Sequence, residues 1–102
     1  MTINDILHVS DGLHKECKDV LSFKNKSYKG SDTPDDALSN MKRMAKTLNS
    51  TPESIITVLI EKHYDVIKQQ SFQDYDELSE RICDIINYLT IYYCFHIEEG
   101  YE

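Results

Sequence analysis

Apolar residues recur at helical spacing in four stretches of the chain, and the last stretch is the most regular. Between Asp76 and Glu99 there is no Pro and no Gly, and Leu78, Ile82, Ile85, Leu89, Tyr92 and His96 follow at alternating steps of four and three. That is the two-per-heptad seam of a helix packed along its length. At 1.5 Å per residue the helix is roughly 36 Å long. Ile86, Tyr93 and Ile97 widen the stripe, and Ile91, Cys94 and Phe95 lie on other faces again. A helix that is apolar around most of its circumference needs cover on most sides. In so short a chain a second copy is a ready source of that cover, so a homodimer through the C-terminal helix is expected.

The other three stretches carry start and stop signals. Thr2 or Asn4 can cap the first, whose stripe is Ile3, Ile6, Val9, Leu13, Cys17, Val20 and Leu21 and which fades around Phe23 and Lys24. A polar connection from Asn25 to Asp32 follows. Thr33-Pro34-Asp35-Asp36 then opens a second helix, with a cap, a proline suited to the first helical position and acids in the first turn. Ala37, Leu38, Met41, Met44, Ala45 and Leu48 form its apolar face, and Asn49-Ser50-Thr51 ends it. Thr51-Pro52-Glu53 repeats the start signal for a third helix, with Ile55, Ile56, Val58, Leu59, Ile60, Val66 and Ile67 on a broad buried face and Gln69-Gln70-Ser71 at its end. Asp74 or Asp76 caps the fourth. Four helices with short connections predict an all-α fold, an antiparallel four-helix bundle with a long C-terminal helix, in one domain spanning residues 1–102.

Composition narrows the function classes. The net charge of −7 argues against direct nucleic-acid binding and against anionic membranes. The apolar run Ile82–Phe95 is too short to span a bilayer and carries Asp84 and Asn87. No basic segment leads into an apolar one at the start, so no secretory signal is expected. Cys17, Cys83 and Cys94 are odd in number and lack metal-site spacing, which predicts free thiols in a reducing cytoplasm. Within this acidic chain Lys24, Lys26 and Lys29 concentrate positive charge around the first connection, with Lys18 before them.

Among the side chains, Asp84 stands out. It sits between Ile82, Ile85, Ile86 and Tyr88, and a half-buried carboxylate needs a cation or hydrogen-bond donors. Lys62, on the flank of the third helix's apolar face, is its natural partner, the alternative being a lysine that snorkels to solvent. Asn40 lies at the edge of the second helix's apolar face, and Tyr88 follows Asp84 by one turn. Glu61 and Asp65 fall opposite the centre of the third helix's apolar face and are expected in solvent. Glu77 and Arg81 form an i,i+4 pair. His63 and His96 lie on or near apolar stripes and read as packed residues rather than ligands. With three glycines there is no phosphate-cradling loop, and no Ser/His/Asp or Cys/His order is visible. No catalytic residue, metal or cofactor is expected.

Five segments in order resemble a known family. Lys24-Asn25-Lys26-Ser27-Tyr28 resembles the Lys-Asn-x-Asp-Tyr-Gly signature of small phage and bacterial helical proteins described as nucleotide-modification-associated, relatives of the MazG-like all-α NTP pyrophosphohydrolases. Ser39-Asn40-Met41-Lys42-Arg43-Met44-Ala45 resembles their Glu-Asn-Phe-x-Arg-Ile-Ala, and Thr51-Pro52-Glu53 their Thr-Pro-Glu stretch. Glu61-Lys62-His63-Tyr64-Asp65-Val66-Ile67-Lys68 resembles their Asp-Lys-x-x-Arg-Leu-x-Lys, and Asp84-Ile85-Ile86-Asn87-Tyr88 their Asp-x-x-(Gly/Asn)-Tyr. Ser27 stands where the signature has Asp, Lys29 where it has Gly, and Asp65 where Arg is usual. The Glu-x-x-Glu and Glu-x-x-Asp pairs that hold magnesium in the pyrophosphohydrolases are missing from the matching places.

The resemblance implies a MazG-like helical fold and a nucleotide-related, phage-type setting. The expected function is binding, and possible sequestration, of a nucleotide or nucleotide-derived signal between the helices. Lys24, Lys26 and Lys62 would meet phosphate, Tyr28 or Tyr88 would stack on a base, and Asn40 and Asp84 would fix its polar edge. Two alternatives stand beside it. One is a magnesium-dependent nucleotide pyrophosphohydrolase using Glu77, Glu80 and Asp84. The other is an acidic helical interaction or inhibitor protein that engages a host protein.

Overall fold

The computed structural model describes residues 1–24 and 38–100 of the chain, which form four helices and no strand: α1 (Ile3–Phe23), α2 (Ser39–Thr47), α3 (Pro52–Lys68) and α4 (Tyr75–Glu98). The fold is an all-α four-helix bundle. The start signals act where the sequence places them. Thr2 caps α1 in a reciprocal box with Asp5, Thr51 caps α3 ahead of Pro52, and Asp74, not Asp76, caps α4 by accepting from Glu77 N. Thr33, Pro34, Asp35 and Asp36 lie outside the described residues. The stops of α2 and α3 are left-handed residues, Asn49 at φ 52° and Gln70 at φ 53°. Each lets the next amide reach back to a carbonyl of the last turn, Ser50 N to Ala45 O at 2.8 Å and Ser71 N to Val66 O at 3.0 Å.

The connection from α3 to α4 is short, so the two lie antiparallel and packed. α4 also packs on α1, and α3 on α2. The apolar core sits where α2, α3 and α4 meet: Met41 and Ala45, Ile55 and Ile56, Ile91 and Phe95. Leu21, Leu38, Leu59, Ile60, Tyr88 and Tyr92 pack against its edge. No described helix is long and apolar enough to cross a membrane.

The buried seam of α4 is rotated from the expected one. It runs through Cys83, Asp84, Asn87, Ile91 and Phe95, whereas Leu89 is 53% exposed. Two of the buried positions are polar and are held by other helices, so hydrophobicity alone tracks the flank of the packed stripe rather than its centre. On α2, Met41 and Ala45 turn inward while Met44 and Leu48 stay exposed, and on α3 Val58 is exposed. On α1 only the second half of the stripe packs. Ile3, Ile6, Leu7 and Val9 are exposed, because α4 is the only described helix on which α1 packs.

Candidate functional site

The N-terminal half of α4 buries polar groups against α1 and α3. Asn87, fully buried, donates from Nδ2 to the Cys17 carbonyl of α1 at 3.0 Å. Beside it the Cys17 thiol donates to Cys83 Sγ at 2.9 Å, both cysteines being free and buried. One residue further along α4, Asp84 is 4% exposed. Its Oδ1 accepts from Lys24 Nζ at 2.8 Å. Lys24 is the C-cap of α1, where the partial negative charge of the helix end also favours a cation. A buried carboxylate stripped of water needs such a partner.

α3 closes the other side of Asp84. His63 Nε2 lies 3.7 Å from Asp84 Oδ2, too long for a hydrogen bond. Its Nδ1 lies 3.0 Å from Arg81 Nη1. A guanidinium only donates, so Nδ1 accepts and the ring proton sits on Nε2, facing Asp84. The neutral ring agrees with its titration: burial first of all holds His63 below the usual histidine range, Asp84 pulling the other way and Arg81 with it downward. The His63 ring stacks on Tyr88 with centroids 5.9 Å apart. Burial, and then Asp84, push the Tyr88 hydroxyl up, so it stays protonated at neutral pH. Arg81 also reaches Glu77 Oε1 at 3.8 Å, the expected i,i+4 pair.

The cluster therefore joins three helices and contains two partly exposed cations, a stacked His–Tyr pair and a buried carboxylate. Beside Lys24 an open groove of about 520 Å³ runs between α1 and the start of α4, walled by Glu16, Asp19, Phe23, Asp76 and Glu80. An anion entering there meets one lysine among four carboxylates.

Of the residues singled out in the sequence, Lys24, Asp84 and Tyr88 come together. Lys62 is exposed, and the cation on Asp84 is Lys24 instead. Asn40 stands apart on α2, where its Oδ1 accepts from Arg43 Nη2 at 2.7 Å. Lys26 and Tyr28 lie outside the described residues. Glu61 and Asp65 are exposed. Glu77 is engaged by Gln73 N and Arg81, and Asp84 by Lys24. Among the described residues no three His, Cys, Asp or Glu converge to hold a metal ion. Sequence reasoning missed His63 and Arg81 as members. Their signal was present, since one lies next to Lys62 on α3 and the other a turn before Asp84 on the same side of α4.

Comparison with protein-family models, with curated proteins and with solved structures finds no match for this chain.

Proposed function

We propose that this protein binds a nucleotide or nucleotide-derived signal at the Lys24–His63–Arg81–Asp84–Tyr88 cluster and sequesters it rather than turning it over. The observation that carries the reading is the burial of Asp84. A 102-residue chain has little core to spare, and replacing a buried ion pair with apolar side chains is often neutral or stabilising. A buried carboxylate with a cation from another helix is therefore a candidate for a role beyond stability. Lys24 and Arg81 supply partly exposed positive charge for phosphate, and the stacked His63–Tyr88 pair supplies an aromatic surface for a base. Asp84 orients the cation. The five segments that resemble nucleotide-modification-associated, MazG-like proteins support the same ligand class and a phage-type setting. The acidic groove beside Lys24 disfavours a polyphosphate that arrives without a counter-cation, so magnesium belongs in the test.

The test is a thermal-shift panel of NTPs, dNTPs, cyclic dinucleotides and ADP-ribose-type compounds, each with and without magnesium. A ligand at a hundred times its Kd adds about 2.7 kcal/mol, or roughly 10–20 °C in a domain of this size. The shift is expected in the wild type and lost in Asp84→Asn. Magnesium-dependent release of product would move the assignment to the pyrophosphohydrolase. A flat panel would sink the nucleotide reading.

A second reading is favoured by Leu89, Tyr93 and Ile97. They lie at i, i+4 and i+8 on α4 and are all exposed. An apolar stripe of this kind suits an isologous helix–helix contact with a second copy. Under this reading the chain is a homodimer through the C-terminal helix, and Tyr93→Asp converts it to a monomer in light scattering after size exclusion. A monomeric wild type would remove the dimer.

A further inference from the structure

We propose that Cys17 and Cys83 form an intramolecular disulfide, a reversible modification site that ties α1 to α4. The two residues are separated by 66 positions, yet their sulfurs lie 2.9 Å apart, already in hydrogen-bond contact. A covalent bond at about 2.05 Å asks for a closing movement of less than about 1 Å. The approach is held from outside the pair. Asn87, one turn beyond Cys83, bonds the Cys17 carbonyl, and Ser79, one turn before it, donates to Glu16 Oε2 at 2.8 Å. The first contact holds the α1 backbone, and the second a neighbouring α1 side chain, over the same stretch of α4. The third cysteine, Cys94, is exposed.

The oxidant is a low-molecular-weight disulfide such as glutathione disulfide. One cysteine, as the thiolate, attacks a sulfur of the oxidant; its proton goes to solvent, the oxidant's S–S bond breaks, and one glutathione thiol leaves. The second cysteine then attacks the protein-bound sulfur of this mixed disulfide and displaces the other glutathione. Two protein thiols lose two electrons, and one glutathione disulfide gains them as two thiols. Thiol reductants reverse the sequence.

The packed state does not start the reaction. Both thiols are shielded, and burial above all pushes the Cys83 thiol up to about 12. Exchange therefore begins when α1 lifts from α4. Because α4 is the only described helix on which α1 packs, that opening takes Leu21 from the edge of the α2–α3–α4 core and leaves the core's buried residues together. Closure of α1 then brings the second sulfur to the mixed disulfide.

The experiment uses the full chain carrying Cys94→Ser, which removes the exposed thiol. The protein is incubated with glutathione disulfide, and intact mass and peptide mapping are read after alkylation in denaturant. The expected product is a single chain 2 Da lighter than the unalkylated reduced chain, with no alkyl group added and a mapped Cys17–Cys83 peptide. Its formation accelerates in urea below the unfolding transition, and dithiothreitol reverses it. The oxidised form is expected to melt about 10 °C or more above the reduced form, since the bond closes a long loop in the unfolded chain. Two free thiols after prolonged incubation would overturn the proposal, as would glutathione adducts that never resolve to the internal bond. A lower melting temperature for the oxidised form would overturn the claim that the packed helices accept it.

Discussion

α4 buries two unlike surfaces. Its C-terminal half puts Ile91 and Phe95 into the apolar core with α2 and α3, and its N-terminal half puts Cys83, Asp84 and Asn87 against α1 and α3. The first surface depends on volume and exclusion of water, which many side chains supply. The second depends on named partners: Lys24 for Asp84, the Cys17 carbonyl for Asn87, Arg81 for His63. An apolar core degrades by degree. A polar contact fails when one partner goes and leaves the other buried and unsatisfied.

The largest difference should come from the core. Phe95→Ala is expected to cost about 3–5 kcal/mol in urea denaturation, close to the whole stability of a small domain. Next comes the ion pair. Lys24→Met leaves the Asp84 carboxylate in place without its cation and is expected to cost about 1–3 kcal/mol, below the figure for a fully buried pair because Lys24 reaches solvent. Adding Asp84→Leu should recover most of that loss. If the double variant is no better than the single one, the polar half behaves like the apolar half and the contrast fails.

A smaller effect tests His63. Its folded pKa lies below the unfolded value, so the unfolded chain binds the proton first. The contribution to stability is present above about pH 6.5 and is lost as pH falls through the folded value. Between pH 7.5 and 5.5 the wild type should lose more melting temperature than His63→Gln, and equal losses would show that burial does not hold the ring neutral. The smallest effect lies away from both surfaces. Gln70 occupies a left-handed conformation at the end of α3, so Gln70→Gly should raise stability by about 0.5–1 kcal/mol in the same denaturation assay.

Local signals were the most legible part of the sequence. The caps at Thr2, Thr51 and Asp74, and the stops at Asn49 and Gln70, depend on a few adjacent residues, and they act where the pattern puts them. The face of α4 was harder to read. Hydrophobic periodicity assumes that buried means apolar, and Asp84 and Asn87 break that assumption at the centre of the packed stripe. The need of Asp84 for a cation was legible from its neighbours, but the identity of the cation was not. Periodicity says which residues share a face of one helix, whereas Lys24 comes from the far end of another helix, 60 positions away. His63 was read as packed, and it is packed, yet it also belongs to the polar cluster. Its neighbour Lys62 drew the assignment because charge is easier to see in a sequence than direction.

The arrangement of helices also has a consequence for the order of events on the ribosome. Of the four described helices α1 is made before the others, and the one it packs against is made after them. At about 5–20 residues per second, the stretch between Phe23 and Tyr75 takes roughly 3–10 s to synthesise. During that interval the described helix on which the Leu13–Leu21 stripe packs is still missing. The α3–α4 hairpin needs only a short loop closure, so it can assemble as soon as α4 emerges. Docking of the earliest of the four described helices then waits for the latest of them, and a nascent chain stalled before Tyr75 would carry an undocked amphipathic helix open to whatever apolar surface is nearest.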